Sequence, residues 1–294
     1  MKSIKAGDVL FHKYKILRKL GEGASAEVFL CHNLKLRSKC AVKVINKQRC
    51  SFRNEEGMLS KLNSLNIPGI IDVMEDDKYT YIVETFVEGT PLDKLMLTHG
   101  CFRENKVIVW AMQLCDTLEY LHGIKPNAII YRDIKPSNIM ITPDNKAVLI
   151  DFGACREYDG IYNIDEVIAG TSIYSAPEQL ILDGITDQRT DIYGVGAVMY
   201  KLLTGENPND ILREKFAAEN TLSRGIRNIV LKCIEIERIR RYNSINELKN
   251  SLENQYKLNI MKDMREDKLM KLLPQVIAVL SIINYLVAFI GLKI

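Results

Sequence analysis

A group of charged and polar side chains between two short apolar runs is the feature that most constrains this chain. Residues 129 to 140 read Ile-Ile-Tyr-Arg-Asp-Ile-Lys-Pro-Ser-Asn-Ile-Met. The Ile-rich runs predict two short buried strands, and the Pro-Ser pair interrupts regular structure between them. A charge held in a protein core is costly unless it is paired or used. The polar side chains are therefore expected to form a fixed, functional loop; they are Arg132, Asp133, Lys135 and Asn138.

This loop resembles the catalytic loop of protein kinases, whose pattern is H-R-D-x-x-x-x-N. Asp133 and Asn138 keep the spacing of that pattern, and Tyr131 stands where the family has His. The resemblance implies that Asp133 orients the substrate hydroxyl and accepts its proton, and that Lys135 stabilises charge on the transferred phosphoryl group. Lys135 is also typical of Ser/Thr kinases. Tyr131 either packs against Phe152, as the family's His does, or leaves the active conformation less well defined.

A glycine-rich turn follows a strand predicted from Tyr14 to Leu20 and precedes another from Glu27 to Asn33. Glycines in such a turn let backbone N–H groups approach a phosphate, although the same pattern alone is also that of a plain hairpin. The turn resembles the kinase pattern G-x-G-x-x-G-x-V, with Ala26 in place of the third Gly. The resemblance implies a nucleotide site that includes Gly21, Glu22, Gly23, Ala24 and Val28.

A strand predicted from Cys40 to Ile45 carries one charge in an apolar run. It resembles the V-A-I-K strand of kinases, in which the Lys reaches the nucleotide phosphates and pairs with a Glu on a helix. Lys43 would take that role and Ala41 would line the nucleotide site. Apolar spacing predicts the helix near 52–62, and its position selects Glu55 as the partner, with Glu56 as the alternative.

Two further strands are predicted at Ile70–Glu75 and Tyr79–Thr85, and the second resembles the strand that enters the kinase hinge. This alignment places Glu84 behind the adenine, where the family usually has an apolar residue or Thr. Glu84 either pairs with Lys43 or the register differs by one. The resemblance adds four residues to the nucleotide site: Thr85, Phe86 and Val87 through the hinge backbone, and Met140.

The sequence Asp151-Phe152-Gly153 follows a strand predicted from Lys146 to Ile150, after a small hairpin at Thr142 to Lys146. It matches the kinase D-F-G motif, whose Asp holds Mg²⁺. Carboxylate, amide and phosphate oxygens suit Mg²⁺, so the resemblance implies a metal site made by Asn138, Asp151 and ATP, with Mn²⁺ as an alternative ion.

The segment from 154 to 170 would be the activation segment, and it contains no Ser or Thr. In many kinases a phosphate there pairs with the Arg before the catalytic Asp, which is Arg132 here. Glu157, Asp165 or Glu166 would supply the negative charge instead. We therefore predict activity that does not require a phosphothreonine within the segment.

The rest of the family pattern lies beyond that segment. Ala176-Pro177-Glu178 matches A-P-E, and Arg241 stands where the family has the Arg that pairs with this Glu. A buried helix is predicted from Asp191 to Tyr200, capped by Thr190 or Asp191. In the family this Asp braces the backbone of the catalytic loop. Additional helices are predicted at Glu104–Leu121, Leu222–Glu235 and Ile245–Leu252.

A stretch of about twenty uncharged residues, 272–292, ends the chain after a polar segment with several basic residues. At about 1.5 Å per residue this stretch spans a bilayer core. The alternative is a buried helix of the main domain, but the kinase pattern is complete by about residue 252. Basic residues before the span predict that the large N-terminal part faces the cytoplasm, tail-anchored and without an extracellular domain.

Composition excludes several other classes. The net charge of +3 gives no reason to expect nucleic acid as a partner, and seven scattered cysteines indicate free thiols in a reducing cytosol. The N-terminus has no apolar run typical of a signal peptide.

Together the motifs resemble the protein Ser/Thr kinase family, most closely bacterial membrane-anchored members. The implied fold is α+β and bilobal, with a small β-rich N-lobe, a larger helical C-lobe and a C-terminal transmembrane helix. The expected domains are 1–87 (N-lobe and hinge), 88–253 (C-lobe), 254–271 (basic juxtamembrane segment) and 272–292 (membrane span). The implied partners are ATP, protein substrates with Ser or Thr, the lipid bilayer and a second copy for autophosphorylation. The alternative is a membrane-anchored pseudokinase that binds nucleotide or acts as a scaffold.

Overall fold

A computed structural model describes residues 4–23, 26–47, 62, 67–158, 173–181, 184–208, 210–265 and 272. Its N-terminal part is an antiparallel sheet of six strands, in the order β1-β2-β3-β4-β6-β5. The strands are β1 (Val9–Leu10), β2 (Tyr14–Glu22), β3 (Ala26–Asn33), β4 (Ser38–Asn46), β5 (Ile70–Glu75) and β6 (Tyr79–Thr85). The hairpin predicted from 70 to 85 is confirmed at both strands.

The sheet has a different environment on each face, because alternate residues of a strand point to opposite sides. One face carries a compact apolar cluster: Tyr14, Ile16, Phe29, Cys31, Cys40, Val42, Val44, Tyr81 and Val83. The other face contributes Ala26, Ile45 and Ile82 to the core that continues into the C-terminal part. This second face therefore looks toward the C-terminal part of the chain.

The C-terminal part is mainly helical. Its helices are α1 (Leu92–His99), α2 (Glu104–His122), α3 (Gln188–Thr204), α4 (Asp210–Ala217), α5 (Arg224–Cys233) and α6 (245–265). Helix α3 packs against α2 and α5, and most of its side chains are buried. The observed architecture is the bilobal α+β fold predicted from the sequence.

The described part of the C-terminal lobe also contains five short strands. They are β7 (Thr90–Pro91), β8 (Ala128–Ile130), β9 (Ile139–Ile141), β10 (Ala147–Leu149) and β11 (Arg156–Tyr158). Strand β9 pairs with β10 and β7, while β8 pairs with β11. The two Ile-rich runs of the sequence are thus β8 and β9, and the polar loop lies between them, as predicted.

The N-cap of α3 is neither Thr190 nor Asp191, although Thr190 takes part in a capping box by accepting the Asp187 N–H at 3.3 Å. The helix begins at Gln188, and the Asp187 carboxylate caps it by accepting the backbone N–H of Arg189 at 2.8 Å. Asp191 does not cap because its carboxylate points inward to the loop after β8.

Helix α6 is longer than predicted and passes through the expected domain boundary at 253. Gln255 is buried and donates to Ser223 Oγ at 3.2 Å, while Asn259 donates to Asn105 Oδ1 at 2.8 Å. These bonds attach the continuation of α6 to the helical lobe.

Within the described ranges, no helix has both the length and the apolar character needed to cross a bilayer. The predicted membrane helix, 272–292, lies outside the described residues except for Leu272. The six described cysteines are free thiols, as predicted.

Candidate active site

The loop between β8 and β9 places its polar side chains in one cluster. The Asp133 carboxylate accepts Lys135 Nζ at 2.7 Å and Asn138 Nδ2 at 2.9 Å, both on Oδ2. The same Asn138 amide also donates to the backbone carbonyl of Asp133 at 3.0 Å. A short 3₁₀ turn, Pro136–Asn138, brings Asn138 back toward Asp133. The three residues predicted from the motif are therefore in direct contact.

Asp191 fixes the start of this loop from the buried helix α3. Its carboxylate accepts the backbone N–H groups of Tyr131 at 2.9 Å and Arg132 at 2.8 Å. It also contacts His122 Nε2 at 2.8 Å, and its side chain has no solvent exposure. A buried carboxylate with this many donors is satisfied, so it holds the loop backbone rigidly. The predicted bracing role of Asp191 is confirmed.

Tyr131 links the loop to the turn after β10. Its ring meets Phe152 edge-to-face, with ring centroids 5.2 Å apart, and its hydroxyl donates to the Ile150 carbonyl at 2.6 Å. Of the two readings of Tyr131, packing against Phe152 is confirmed. Burial, with nearby negative groups, raises the pKa of Tyr131 well above its ordinary value, so its hydroxyl stays a donor.

Lys43 and Asp151 meet between the two lobes, although 108 positions separate them in the chain. Lys43 Nζ lies 2.6 Å from Asp151 Oδ1, and the backbone N–H of Gly153 donates to the same oxygen at 3.2 Å. Burial acts to raise the pKa of Asp151, but the charges of Lys43 and Lys135 and these hydrogen bonds outweigh it, so that pKa is lowered. Asp151 is therefore ionised at neutral pH.

Strand register explains how the sheet contributes to the site. Val28 lies opposite Lys43, and Ala41 lies opposite Glu84. Directly opposed residues share a face, as do residues two apart along a strand. Hence four of the predicted nucleotide-site residues in the sheet share the face that looks toward the C-terminal part: Val28, Ala41, Lys43 and Glu84. In this register Ile82, and not Glu84, lies directly opposite Lys43.

The glycine-rich turn forms the tip of the β2–β3 hairpin, with Gly21 opposite Val28 and Gly23 N–H donating to the Ala26 carbonyl at 2.8 Å. The Glu22 carboxylate binds Lys19 Nζ at 2.6 Å. A phosphate contact at Glu22 would therefore come from its backbone. Ala24, predicted to line the site, lies outside the described residues.

The chain leaves β6 at the predicted hinge, Thr85 to Val87. Thr85 donates its N–H to the Gly69 carbonyl at 2.9 Å, so this N–H is not available to a ligand. Gly89, four residues after Thr85, has no room for a side chain. A Cβ there would lie 2.5 Å from the Ile141 carbonyl oxygen and 2.9 Å from Met140 Cγ. Only glycine fits there, and this close approach places Met140 against the chain just after the hinge.

The activation segment is described only up to Tyr158. Arg132 donates from Nε to the Ala154 carbonyl at 2.9 Å, and Glu157 accepts Asn127 Nδ2 at 3.1 Å. Asp165 and Glu166 lie outside the described residues, as does Glu55, the predicted partner of Lys43.

The predicted pair of Glu178 and Arg241 is confirmed and is bidentate, with N–O distances of 2.7 and 2.8 Å. The Arg241 side chain has 0% exposure and that of Glu178 has 11%. This pair anchors the end of the activation segment to the helical lobe.

Sequence reasoning missed three residues that shape the site: His122 beside Asp191, Gly89 above Met140, and Gln179. Gly89 was visible as a glycine directly after the hinge, where close backbone approach is a common reason for glycine. His122 and Gln179 gave no signal, because their contacts with Asp191 and Arg132 join residues 69 and 47 positions apart.

The oxygen donors of the site fit Mg²⁺. Asp151 offers a carboxylate, and Asn138 offers an amide carbonyl, since its nitrogen is used toward Asp133. The described parts of the chain hold no group of three or more His, Cys, Asp or Glu that would bind a metal by themselves. Mg²⁺ is usually bound by one or two carboxylates together with substrate phosphates, and this donor set matches that rule.

Comparison with known proteins agrees with this geometry. A family model described as "protein kinase domain" matches residues 14–278. A probable serine/threonine-protein kinase of Clostridium acetobutylicum is 32% identical over 283 residues, which cover 88% of this chain and 42% of the relative. A probable serine/threonine-protein kinase of Clostridium perfringens is 28% identical over 270 residues, which cover 84% of this chain and 39% of the relative. Serine/threonine-protein kinase PknB of Mycobacterium tuberculosis is 33% identical over 213 residues, which cover 68% of this chain and 33% of PknB. The chain thus spans about two fifths of the Clostridium relatives and a third of PknB.

Proposed function

The chain belongs to the protein kinase family, and on that premise we propose that it phosphorylates Ser or Thr hydroxyls of proteins with ATP and Mg²⁺. The observation that carries the proposal is the contact of Lys43 with Asp151 at 2.6 Å, beside the cluster of Asp133, Lys135 and Asn138. These contacts bring together the residues that we propose as the cation for the phosphates, the metal ligand and the base.

In this mechanism the protein positions groups and stabilises charge, with little covalent chemistry of its own. Lys135 and Asn138 both bind Oδ2 of Asp133, which leaves Oδ1 to orient the substrate hydroxyl and accept its proton. Lys135 lies beside the base, where a fixed cation stabilises charge that develops during transfer. Lys43 binds the phosphates, and Glu55 is its proposed partner.

Asn138 and Asp151 would hold Mg²⁺, which when bound neutralises charge on the phosphates. Gly21 and Gly23 at the hairpin tip would cover the phosphates. The hinge backbone at Thr85 to Val87 and the side chains of Ala41 and Met140 would enclose the adenine.

The direct test is a Mg²⁺-dependent transfer assay with γ-labelled ATP and a mixed protein substrate, followed by phosphoamino-acid analysis. The proposal expects phosphoserine or phosphothreonine from the wild-type chain. It expects none from Lys43→Ala, with unchanged secondary structure. ATP binding without any transfer by the wild type would instead establish the pseudokinase alternative.

We further propose that 272–292 anchors the kinase in the cell membrane with its catalytic part in the cytoplasm. The support is the length and uncharged character of this stretch, together with the basic residues before it. The full chain should sediment with membranes and resist extraction by carbonate, while a chain ending at residue 265 should not. Equal partitioning of the two would contradict the anchor.

A further inference from the structure

Arg132, the residue directly before Asp133, has an unusual backbone conformation, with φ at +67°. An L residue in this left-handed region is strained and persists only where the surrounding structure over-determines it. Its N–H is held by Asp191 and its Nε by the Ala154 carbonyl. Its carbonyl is held by the side chain of Gln179, whose Nε2 donates at 2.8 Å.

Gln179 reaches the loop from the other side of the site. It ends the 3₁₀ turn Pro177–Gln179, and its Oε1 accepts the backbone N–H of Ala176 at 3.0 Å. The preceding residue, Glu178, is fixed by its bidentate pair with Arg241. Gln179 is itself only 5% exposed, so solvent does not readily replace either of its bonds.

We propose that Gln179 is a positioning residue that holds the backbone of Arg132, and through it Asp133, in the geometry for transfer. This inference rests on the proposed kinase function and adds a link between the end of the activation segment and the base. The Gln179 amide binds two backbone groups that need different partners. The Ala176 N–H needs a hydrogen-bond acceptor, and the Arg132 carbonyl needs a hydrogen-bond donor. An ionised carboxylate can only accept, so it can bind the Ala176 N–H but not the Arg132 carbonyl. A protonated carboxyl group can bind both.

This difference gives a test. Gln179→Glu keeps the acceptor for the Ala176 N–H. When it is ionised, it places a negatively charged oxygen next to the Arg132 carbonyl oxygen in place of a donor. Gln179→Met keeps the length and removes both polar atoms. The matched control is Gln113→Glu, because Gln113 Oε1 likewise accepts a backbone N–H, from Ala147 at 2.8 Å, but does not touch the catalytic loop.

We expect Gln179→Glu to lower kcat about tenfold at pH 8, with KM for ATP unchanged, as expected for one lost buried hydrogen bond. Gln179→Met, which removes both polar atoms, should lose at least as much kcat, and Gln113→Glu should keep the kcat of wild type. An unchanged kcat in Gln179→Glu, or an equal loss in Gln113→Glu, would overturn the proposal.

Hydrogen exchange of residues 129–140 provides a second measurement that does not need activity. These amides should exchange faster in Gln179→Glu than in wild type at pH 8, while exchange in the sheet of the N-lobe stays the same. Equal exchange rates at 129–140 would also overturn the positioning role. If the wild type transferred no phosphate, the proposed function would fail, and the exchange experiment would still decide the role of Gln179.

Discussion

Tyr131 and Ile150 are joined by a hydrogen bond of 2.6 Å from the phenol hydroxyl to the backbone carbonyl. The same ring packs edge-on against Phe152. One side chain of the catalytic loop thus holds both neighbours of Asp151, the proposed metal ligand. The orientation of the metal-binding turn therefore depends on the residue that departs from the family's His.

Tyr131→Phe should keep the ring contact and lose the bond to Ile150. Because the partly buried Ile150 carbonyl then lacks this donor, we expect a loss of about 1 kcal/mol in the free energy of unfolding and a several-fold lower kcat. The control is Tyr14→Phe, since Tyr14 donates to Asp72 at 3.0 Å in the N-lobe, away from the catalytic loop. Urea unfolding and steady-state kinetics measure the two effects. Equal kcat in both variants would show that the Tyr131 bond does not orient the site.

Arg241→Ala should be among the most destabilising single changes in the helical lobe. It removes one member of a buried pair and leaves the Glu178 carboxylate uncompensated, which typically costs about 3–5 kcal/mol. The neighbouring pair of Arg240 and Glu237, at 65% and 56% exposure, supplies the control. Arg240→Ala should cost no more than about 1 kcal/mol, because exposed pairs contribute little. Similar unfolding free energies for the two variants would contradict the structural role of Arg241.

Asp191→Asn should loosen the catalytic loop, although the Asn side chain has nearly the same size as that of Asp. The new amide nitrogen would face a backbone N–H donor of Tyr131 or Arg132, so one of these groups loses its acceptor. We expect a loss of about 2–3 kcal/mol in unfolding free energy and faster hydrogen exchange at 131 and 132. Asp187→Asn is the control, because Asn caps a helix about as well as Asp. Unaltered exchange at 131 and 132 in Asp191→Asn would argue against this bracing.

The lowered pKa of Asp151 predicts a pH dependence with a definite sign. Its folded-state pKa lies below the ordinary value of 3.8, so its ionisation stabilises the fold above that pH and ceases to do so as the pH falls through the folded pKa. The difference in unfolding free energy between wild type and Asp151→Asn should be constant from pH 8 to about 5 and should decrease only below about 4. A difference that changed near neutral pH would mean that Lys43 does not hold the carboxylate ionised.

The sequence was most informative where a local pattern and a family motif coincided. The hairpin of β5 and β6 has the predicted bounds, and Asp133 and Asn138 meet as their spacing implied. Both features depend on residues close together in the chain.

The sequence was least informative where long-range contacts decide the structure. The N-cap of α3 was predicted at Thr190 or Asp191, but Asp187 takes that position. Only the family resemblance pointed to the contacts of Asp191 with two N–H groups sixty and fifty-nine positions away. The lobe was expected to end near residue 253 because the kinase pattern is complete by about residue 252, yet Gln255 and Asn259 bond to it. Gln179 contacts a residue 47 positions earlier, so no periodicity or spacing points to it.

The most direct test of the proposed chemistry is a comparison of wild type with Asp133→Asn in a single-turnover assay with Mg²⁺ and γ-labelled ATP. Asn keeps the size of Asp133 but cannot accept the proton of the substrate hydroxyl. We predict that Asp133→Asn binds ATP with Mg²⁺ as tightly as wild type and transfers the phosphoryl group at least about a hundredfold more slowly. A transfer rate equal to that of wild type would contradict Asp133 as the base and, with it, the proposed mechanism.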